Sequence, residues 1–368
     1  MKSKLISYVA IVAAISLIAV GCSQSTPTPA GTNNPAQTSE TNSNGTAAKV
    51  EKADPTATST DQKSDTSASK SNYPQKGKVL TVVVPYPPGG GNDLASRTLA
   101  IPLEKELGTT VQVVNKAGAS GQVGTTEVVQ SKPDGYTLGY PTLSAVIISY
   151  LDPERQAAFD RKSFVPVASD CMVQLQIAVK ADSPYKSVED LVEAAKAKPK
   201  TVKVGIYRLS QEQLALMQLE EMTGAKFAHV GFDGGAPALT ALLGGHIDAA
   251  VGIVVNFLPH TKSGDIRVLG TMDIERSEFM PDVPTFKEQG YDLVSLSTRV
   301  YLAPADTPQE YVDILAGSIK NAMEDESYKN KMKELAFTRR YVGPQELTTL
   351  WDETESIYKP LIELAKKK

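Results

Sequence analysis

The chain has 368 residues, of which 41% are hydrophobic, and its 38 Lys and Arg residues against 42 Asp and Glu residues give a net charge of -4. This length can bury the cores of two α/β domains, and the mildly acidic balance without a basic stripe argues against a nucleic-acid partner. The only cysteines are Cys22 and Cys171, which excludes a disulfide framework, and the apolar surroundings of Cys171 predict a core position.

The first 22 residues have the pattern of an export signal. Two lysines precede an apolar run over 9–20, which is shorter than the ~20 residues of a membrane span. The run ends in "AVGC", which resembles a bacterial lipobox. Residues 1–22 are therefore predicted to be a lipoprotein signal peptide, with Cys22 as the lipidated N-terminus and membrane anchor. The alternative is an uncleaved anchor helix.

Residues 23–75 are predicted to form a disordered polar linker. Between Ser23 and Asn72 the chain contains no Leu, Ile, Met, Phe, Tyr or Trp, so it cannot bury enough apolar surface to fold. A flexible segment of about 50 residues reaches tens of ångströms, which suits a protein that must extend through a cell wall. We therefore expect an extracytoplasmic protein, lipid-anchored to the cell membrane of a Gram-positive bacterium.

The stretch "VVVPYPPGGGNDLASR" (82–97) predicts an anion site. A β-branched strand leads through three prolines to Gly89, Gly90 and Gly91, and Asn92 and Asp93 then open a helix-like segment. Glycines allow a ligand to approach the backbone, and the first turn of a helix offers unpaired N–H groups and the positive end of its dipole. For Asp93 the alternative role is a plain helix cap.

Phosphate-binding motifs fit this stretch poorly. A P-loop requires G-x-x-x-x-G-K-[ST], and no Lys follows the glycines. A dinucleotide fingerprint can start at Gly89, but Leu94 occupies its third small position and the acidic residue expected about 20 residues later is missing. Nucleotide binding is therefore a minor alternative.

The remaining chain repeats the order strand, loop, helix, which predicts parallel sheets covered by helices. "TVQVVN" precedes the loop "KAGASGQVG", and "TVKVGIY" precedes a helix with Ser210 and Gln213 at capping-box spacing. Extended crossings near 175–179 and 295–302 are predicted to join two α/β lobes around a ligand cleft. The predicted lobes are 76–177 with 298–368, and 178–297.

Six blocks follow one another along the chain: "VVPYPPGGGND", "VVNKAGASGQVG", "KPDGYTL", "HVGFDGGAPALTALLGGHID", "ERSEFMPDVPTFKEQGY" and "APADTP". In this order they resemble the substrate-binding proteins of tripartite tricarboxylate transporters, the Bug receptors. The resemblance implies a type II periplasmic-binding-protein fold, whose two lobes close over a small organic acid and deliver it to membrane subunits of the transporter. We expect no cofactor, no metal and a monomer.

On this resemblance the anion is a carboxylate, held mainly by backbone amides and bridging waters. Tyr86 walls the pocket, the glycines supply close backbone approach, two hydroxyl side chains add hydrogen bonds, and a loop of the second lobe faces them. The residues carried over are Tyr86, Gly89, Gly90, Gly91, Asn92, Asp93, Thr142, Ser144, Asp233, Gly234 and Ala236.

Two stretches depart from the family pattern. "YRLSQ" (207–211) stands where many relatives have a Gly/Ser-rich loop followed by His, and "STRVY" (297–301) where they usually have a Trp. Arg208 follows a strand, so its guanidinium could pair with a second ligand carboxylate at the mouth of the cleft. Arg208 and Ser210 are therefore added to the candidate site. The alternative is an exposed Arg208 paired with Glu212. Whether Arg208 or Arg299 contacts the ligand stays open.

No catalytic constellation is visible, so the protein is not expected to be an enzyme. The three histidines are scattered, and no G-x-S-x-G elbow occurs. His246 and Asp248 alone do not make a metal site. Within the receptor class, presentation of the ligand to a membrane sensor kinase is the alternative to transport.

Overall fold

The computed structural model of the protein describes residues 72–366. The predicted lipobox at Cys22 and nearly all of the predicted linker lie outside these residues. Within 72–366, no helix combines the length and the apolar character that crossing a membrane requires.

Strands and helices alternate along most of this part of the chain. The strands are β1 (Val79–Val84), β2 (Thr110–Asn115), β3 (Thr137–Gly139), β4 (Phe164–Lys180), β5 (Lys203–Tyr207), β6 (Ala228–Phe232), β7 (Ala249–Ile253), β8 (Ile266–Thr271), β9 (Leu296–Pro304) and β10 (Thr338–Val342). The helices are α1 (Gly91–Leu107), α2 (Gln122–Val129), α3 (Leu143–Leu151), α4 (Val188–Ala197), α5 (Gln211–Thr223), α6 (Gly235–Leu243), α7 (Val254–Lys262), α8 (Gln309–Ala322), α9 (Glu326–Glu334) and α10 (Pro344–Lys366).

The ten-stranded mixed sheet contains two sets of parallel strands. β1 pairs in parallel with β2 and β3, and β5 pairs in parallel with β6 and β7. Parallel strands are covered on both faces, which explains the β-branched, apolar sequence of β1. The strand order is β2-β1-β3-β9-β4-β7-β5-β6, and β8 and β10 also pair with β4.

The long strand β4 joins the two sets. Its residues 164–174 pair with β9, and its residues 175–180 pair with β7 and β8. The first sheet region consists of β1, β2, β3, β9, β10 and residues 164–174 of β4. The second sheet region consists of β5, β6, β7, β8 and residues 175–180 of β4. The chain returns to the first region where β9 begins, with Leu296 opposite Gln174. The chain therefore passes between the two regions near Leu175 and near Leu296.

A cluster of buried apolar side chains packs elements of the two regions together. Leu214 and Met217 of α5 share this cluster with Trp351 and Tyr358 of α10. Cys171 is fully buried in a different cluster, as its surroundings predicted. The packing fixes α5, and hence the loop before it, against the C-terminal helix.

Candidate functional site

A cavity of about 600 Å³ lies between the loops of the two sheet regions, and we call it the cleft cavity. Its walls come from the carboxyl ends of β1, β3, β5 and β6, the edge at which open α/β sheets bind ligands. The lining residues are Tyr86, Ser120, Thr142, Ser144, Ala145, Ile148, Arg155, Tyr207, Arg208, Leu209, Ser210, Gln211, Glu212, Phe232, Asp233, Gly234 and Ser297.

The structure brings together seven of the thirteen residues that the sequence placed in the site. The seven that line the cleft cavity are Tyr86, Thr142, Ser144, Arg208, Ser210, Asp233 and Gly234. The six that do not are Gly89, Gly90, Gly91, Asn92, Asp93 and Ala236.

The polar residues after the glycine run contact the protein itself. The Asp93 carboxylate accepts hydrogen bonds from the Gly89 N–H at 2.8 Å and from Arg97 Nε at 2.8 Å. Asn92 Nδ2 donates to the Tyr140 carbonyl at 3.2 Å. Burial raises the pKa of Asp93, but its hydrogen bonds outweigh that effect and hold the pKa below the usual range. Asp93 thus stabilises the glycine loop at the start of α1.

A protein side chain, and not an open cavity, lies directly against the backbone of Gly91. A Cβ at Gly91 would lie only 2.8 Å from Arg299 Nη2. Arg299 is 4% exposed, and its guanidinium lies 4.3 Å from the centre of the Phe337 ring. It does not line the cleft cavity, so the two candidate arginines occupy different environments.

The first-region wall of the cavity is tied to the second region by a chain of side-chain hydrogen bonds. Ser144 Oγ donates to Gln211 Oε1 at 2.9 Å, and Gln211 Nε2 donates to Ser295 Oγ at 3.1 Å. All three residues are buried. Gln211 was not among the predicted site residues, because its partners lie 67 and 84 positions away in the chain.

The loop before α5 is held in an unusual backbone conformation. Leu209 has φ +43°, a left-handed conformation rarely adopted by branched residues. Its carbonyl accepts a hydrogen bond from Arg155 Nη2 at 2.7 Å, and its N–H donates to Gln213 Oε1 at 2.7 Å. Ser210 caps α5 by accepting from the Gln213 N–H, as the spacing predicted. These contacts fix the backbone of the loop, and so the position from which the Arg208 side chain extends.

Arg208 lines the cavity with an exposed side chain. It lies over Gly231, where a Cβ would come within 3.0 Å of its Cγ and Nε. In the described part of the chain no acidic side chain forms an ion pair with Arg208, so the alternative pairing with Glu212 is not present. The guanidinium is available to a ligand.

Asp233 and Gly234 lie at the start of α6. Gly234 has φ +137° and supplies the N-cap of that helix. A Cβ on the next residue, Gly235, would overlap the Tyr207 hydroxyl and Asn256 Nδ2. The helix start therefore sits directly against Tyr207, a cavity residue that the sequence reasoning missed although it ends strand β5.

Glu212 is a further cavity residue outside the predicted set. It is half-buried, and burial raises the pKa of its carboxyl above the usual range. No group of three or more His, Cys, Asp or Glu residues arranged to hold a metal occurs within 72–366.

Sequence comparisons identify relatives along most of the chain. The family model described as "Tripartite tricarboxylate transporter family receptor" matches residues 95–366. A UPF0065 protein of Cupriavidus necator is 30% identical over 307 residues, which cover 80% of this chain and 89% of that protein. Protein BugT of Bordetella pertussis is 31% identical over 262 residues, which cover 70% of this chain and 80% of that protein.

Structural comparisons agree with these relatives. A TctC solute-binding protein from Polaromonas is 30% identical with a TM-score of 0.72, covering 79% of this chain and 99% of that chain. A protein of R. palustris solved with adipate is 25% identical with a TM-score of 0.66, covering 80% of this chain and 98% of that chain. The predicted α/β periplasmic-binding-protein fold is confirmed, and the family is one of extracytoplasmic solute-binding receptors. The chain belongs to the tripartite tricarboxylate transporter receptor family.

Proposed function

We propose that the protein binds a small organic carboxylate in the cleft cavity and delivers it to the membrane subunits of a tripartite tricarboxylate transporter. A lipid on Cys22 anchors it to the outer face of the cell membrane. The observation that carries the proposal is the convergence of Arg208 and two helix starts on one cavity of about 600 Å³, within the usual range for small-molecule sites.

The two helix starts supply hydrogen-bond donors suited to a carboxylate. α3 begins after Thr142 and α6 after Gly234, and neither N-cap side chain satisfies the first turn. Both N-cap residues line the cavity. The first-turn N–H groups of a helix favour anions, because they point outward at the positive end of the helix dipole.

Arg208 supplies the charge for a second carboxylate. Its exposed guanidinium has five N–H donors and no ion-pair partner in the described part of the chain. A ligand with carboxylates at both ends would place one at a helix start and the other at Arg208. The related R. palustris protein was solved with adipate, a dicarboxylate of this kind.

A thermal-shift panel of organic acids on the purified full chain tests the proposal. A ligand present at about 100 times its dissociation constant stabilises the folded state by roughly 2.7 kcal/mol. We expect at least one small carboxylate to raise the melting temperature, while neutral sugars of similar size leave it unchanged. A panel in which no acid raises it would contradict the proposal.

A further inference from the structure

Arg155 connects two parts of the protein that line the cleft cavity. It ends the short 3₁₀ helix Pro153–Arg155, which comes just after α3. Its Nη2 donates to the Leu209 carbonyl, 54 positions later in the chain, at 2.7 Å. Leu209 stands next to Arg208 in the loop between β5 and α5. One hydrogen bond therefore joins the loop that carries Arg208 to the end of α3.

The guanidinium of Arg155 is oriented by a buried carboxylate. Asp152 is 1% exposed, and its Oδ2 lies 3.6 Å from Arg155 Nε. Its Oδ1 lies 2.7 Å from Nζ of Lys366, the last residue of α10. A planar guanidinium that is held on one side by a carboxylate presents its other N–H groups in a fixed direction. Because Lys366 also pairs with Asp152, the Asp152 carboxylate keeps a partner when Arg155 is replaced.

The loop needs an outside contact because its backbone is strained. The left-handed conformation of Leu209, with φ +43°, costs free energy and persists only where the surrounding contacts hold it. The bond from its N–H to Gln213 and the cap made by Ser210 both lie within residues 207–214. In the described part of the chain, Arg155 alone forms a hydrogen bond to residues 208–210 from outside that segment. Without this bond the loop can relax and displace Arg208.

We propose that Arg155 is a positioning residue, which holds Leu209 in its left-handed conformation and so fixes Arg208 at the cavity before a ligand arrives. The contact uses protein atoms alone, so it forms without a ligand. A preorganised group binds more tightly, because less conformational entropy is lost on binding. The effect on affinity rests on the proposed carboxylate-binding function, whereas the effect on the loop does not.

Hydrogen exchange of the purified full chain without ligand tests the effect on the loop. Arg155→Met removes the charge and the donors and keeps an unbranched side chain. The Leu209 amide donates to Gln213 Oε1, and we expect it to exchange at least about tenfold faster in this variant. Arg155→Lys keeps the charge without the planar donor group, so it should act in the same direction. Arg161→Met is the control, since Arg161 pairs with Asp352 and should leave the exchange unchanged.

Calorimetry with adipate and hexanoate separates positioning from direct contact with the ligand. If Arg155 acts through Arg208, Arg155→Met should lower the affinity for adipate by up to roughly tenfold, the loss expected for Arg208→Ala, and that for hexanoate much less. The double variant Arg155→Met/Arg208→Ala should then bind adipate no more weakly than Arg208→Ala alone.

Two results would overturn the inference. One is wild-type exchange of the Leu209 amide in Arg155→Met. The other is an additive loss of adipate affinity in the double variant, which would mean that Arg155 contacts the ligand itself. If no acid of the thermal-shift panel binds the wild type, the carboxylate receptor is wrong, and the exchange measurement alone decides whether Arg155 holds the loop.

Discussion

Replacing Gly91 by Ala puts a methyl group against the buried guanidinium of Arg299. The new Cβ would lie 2.8 Å from Arg299 Nη2 and 3.1 Å from Phe337 Cζ. Neither group can yield easily, because Arg299 is 4% and Phe337 3% exposed. Overpacking a filled core costs about 1–3 kcal/mol, so we expect Gly91→Ala to lower the free energy of unfolding by that amount.

Gly317 provides a matched control within another helix. It is an exposed residue of α8 with no atom within 4 Å of a Cβ placed there. Gly317→Ala should therefore raise the free energy of unfolding by about 0.5–1 kcal/mol, the usual gain from Gly to Ala in a helix.

Urea denaturation of the full chain measures both variants against wild type. The midpoint should fall for Gly91→Ala and rise for Gly317→Ala, with an unchanged slope. If Gly91→Ala is as stable as Gly317→Ala, then Arg299 does not occupy the space beside Gly91. If Gly91→Ala keeps wild-type stability and loses ligand binding instead, the glycine loop contacts the ligand as the sequence suggested.

Three further predictions concern the cavity, the glycine loop and the anchor. Arg208→Ala should lower the affinity for adipate by roughly tenfold, about 1.4 kcal/mol, and that for hexanoate much less; equal losses in calorimetry would show that Arg208 does not hold a second carboxylate. Because the pKa of Asp93 is lowered in the folded state, its carboxylate stabilises the fold at neutral pH, and this stabilisation is lost as the pH falls through the folded pKa. Asp93→Asn should therefore lower the free energy of unfolding by about 1 kcal/mol at neutral pH and by less in acid. If urea titrations give the same difference between variant and wild type at both pH values, this prediction is wrong. Cys22→Ala should release the protein from the membrane fraction or leave a longer precursor, and a variant cut at the same bond and retained at the membrane would refute lipidation.

The strand, loop and helix order was predictable because it depends on local patterns. The β-branched run of β1 and the capping-box spacing at Ser210 each act over a few residues, and the structure has a strand and a helix start at those positions. The turns at the carboxyl ends of parallel strands meet at one edge of the sheet. The family resemblance, rather than local pattern, placed Tyr86, Thr142 and Asp233 in one site, and all three line the cleft cavity at that edge.

The residues that sequence reasoning missed depend on partners far along the chain. The glycine run indicated a ligand loop, but the space beside Gly91 is taken by Arg299, about 200 positions later, and no local pattern signals that contact. Gln211 is polar and is the first residue of helix α5, which is also typical of a surface residue. Only the approach of Ser144 and Ser295 reveals its position.

A crystal structure of the full chain with the acid that gives the largest thermal shift tests the central claim most directly. We predict that one ligand carboxylate lies within hydrogen-bond distance of the first-turn N–H groups of α3 or α6, and another within hydrogen-bond distance of the Arg208 guanidinium. A ligand bound outside the cleft cavity would contradict the account, and so would one held in the cavity without contact to either helix start or to Arg208.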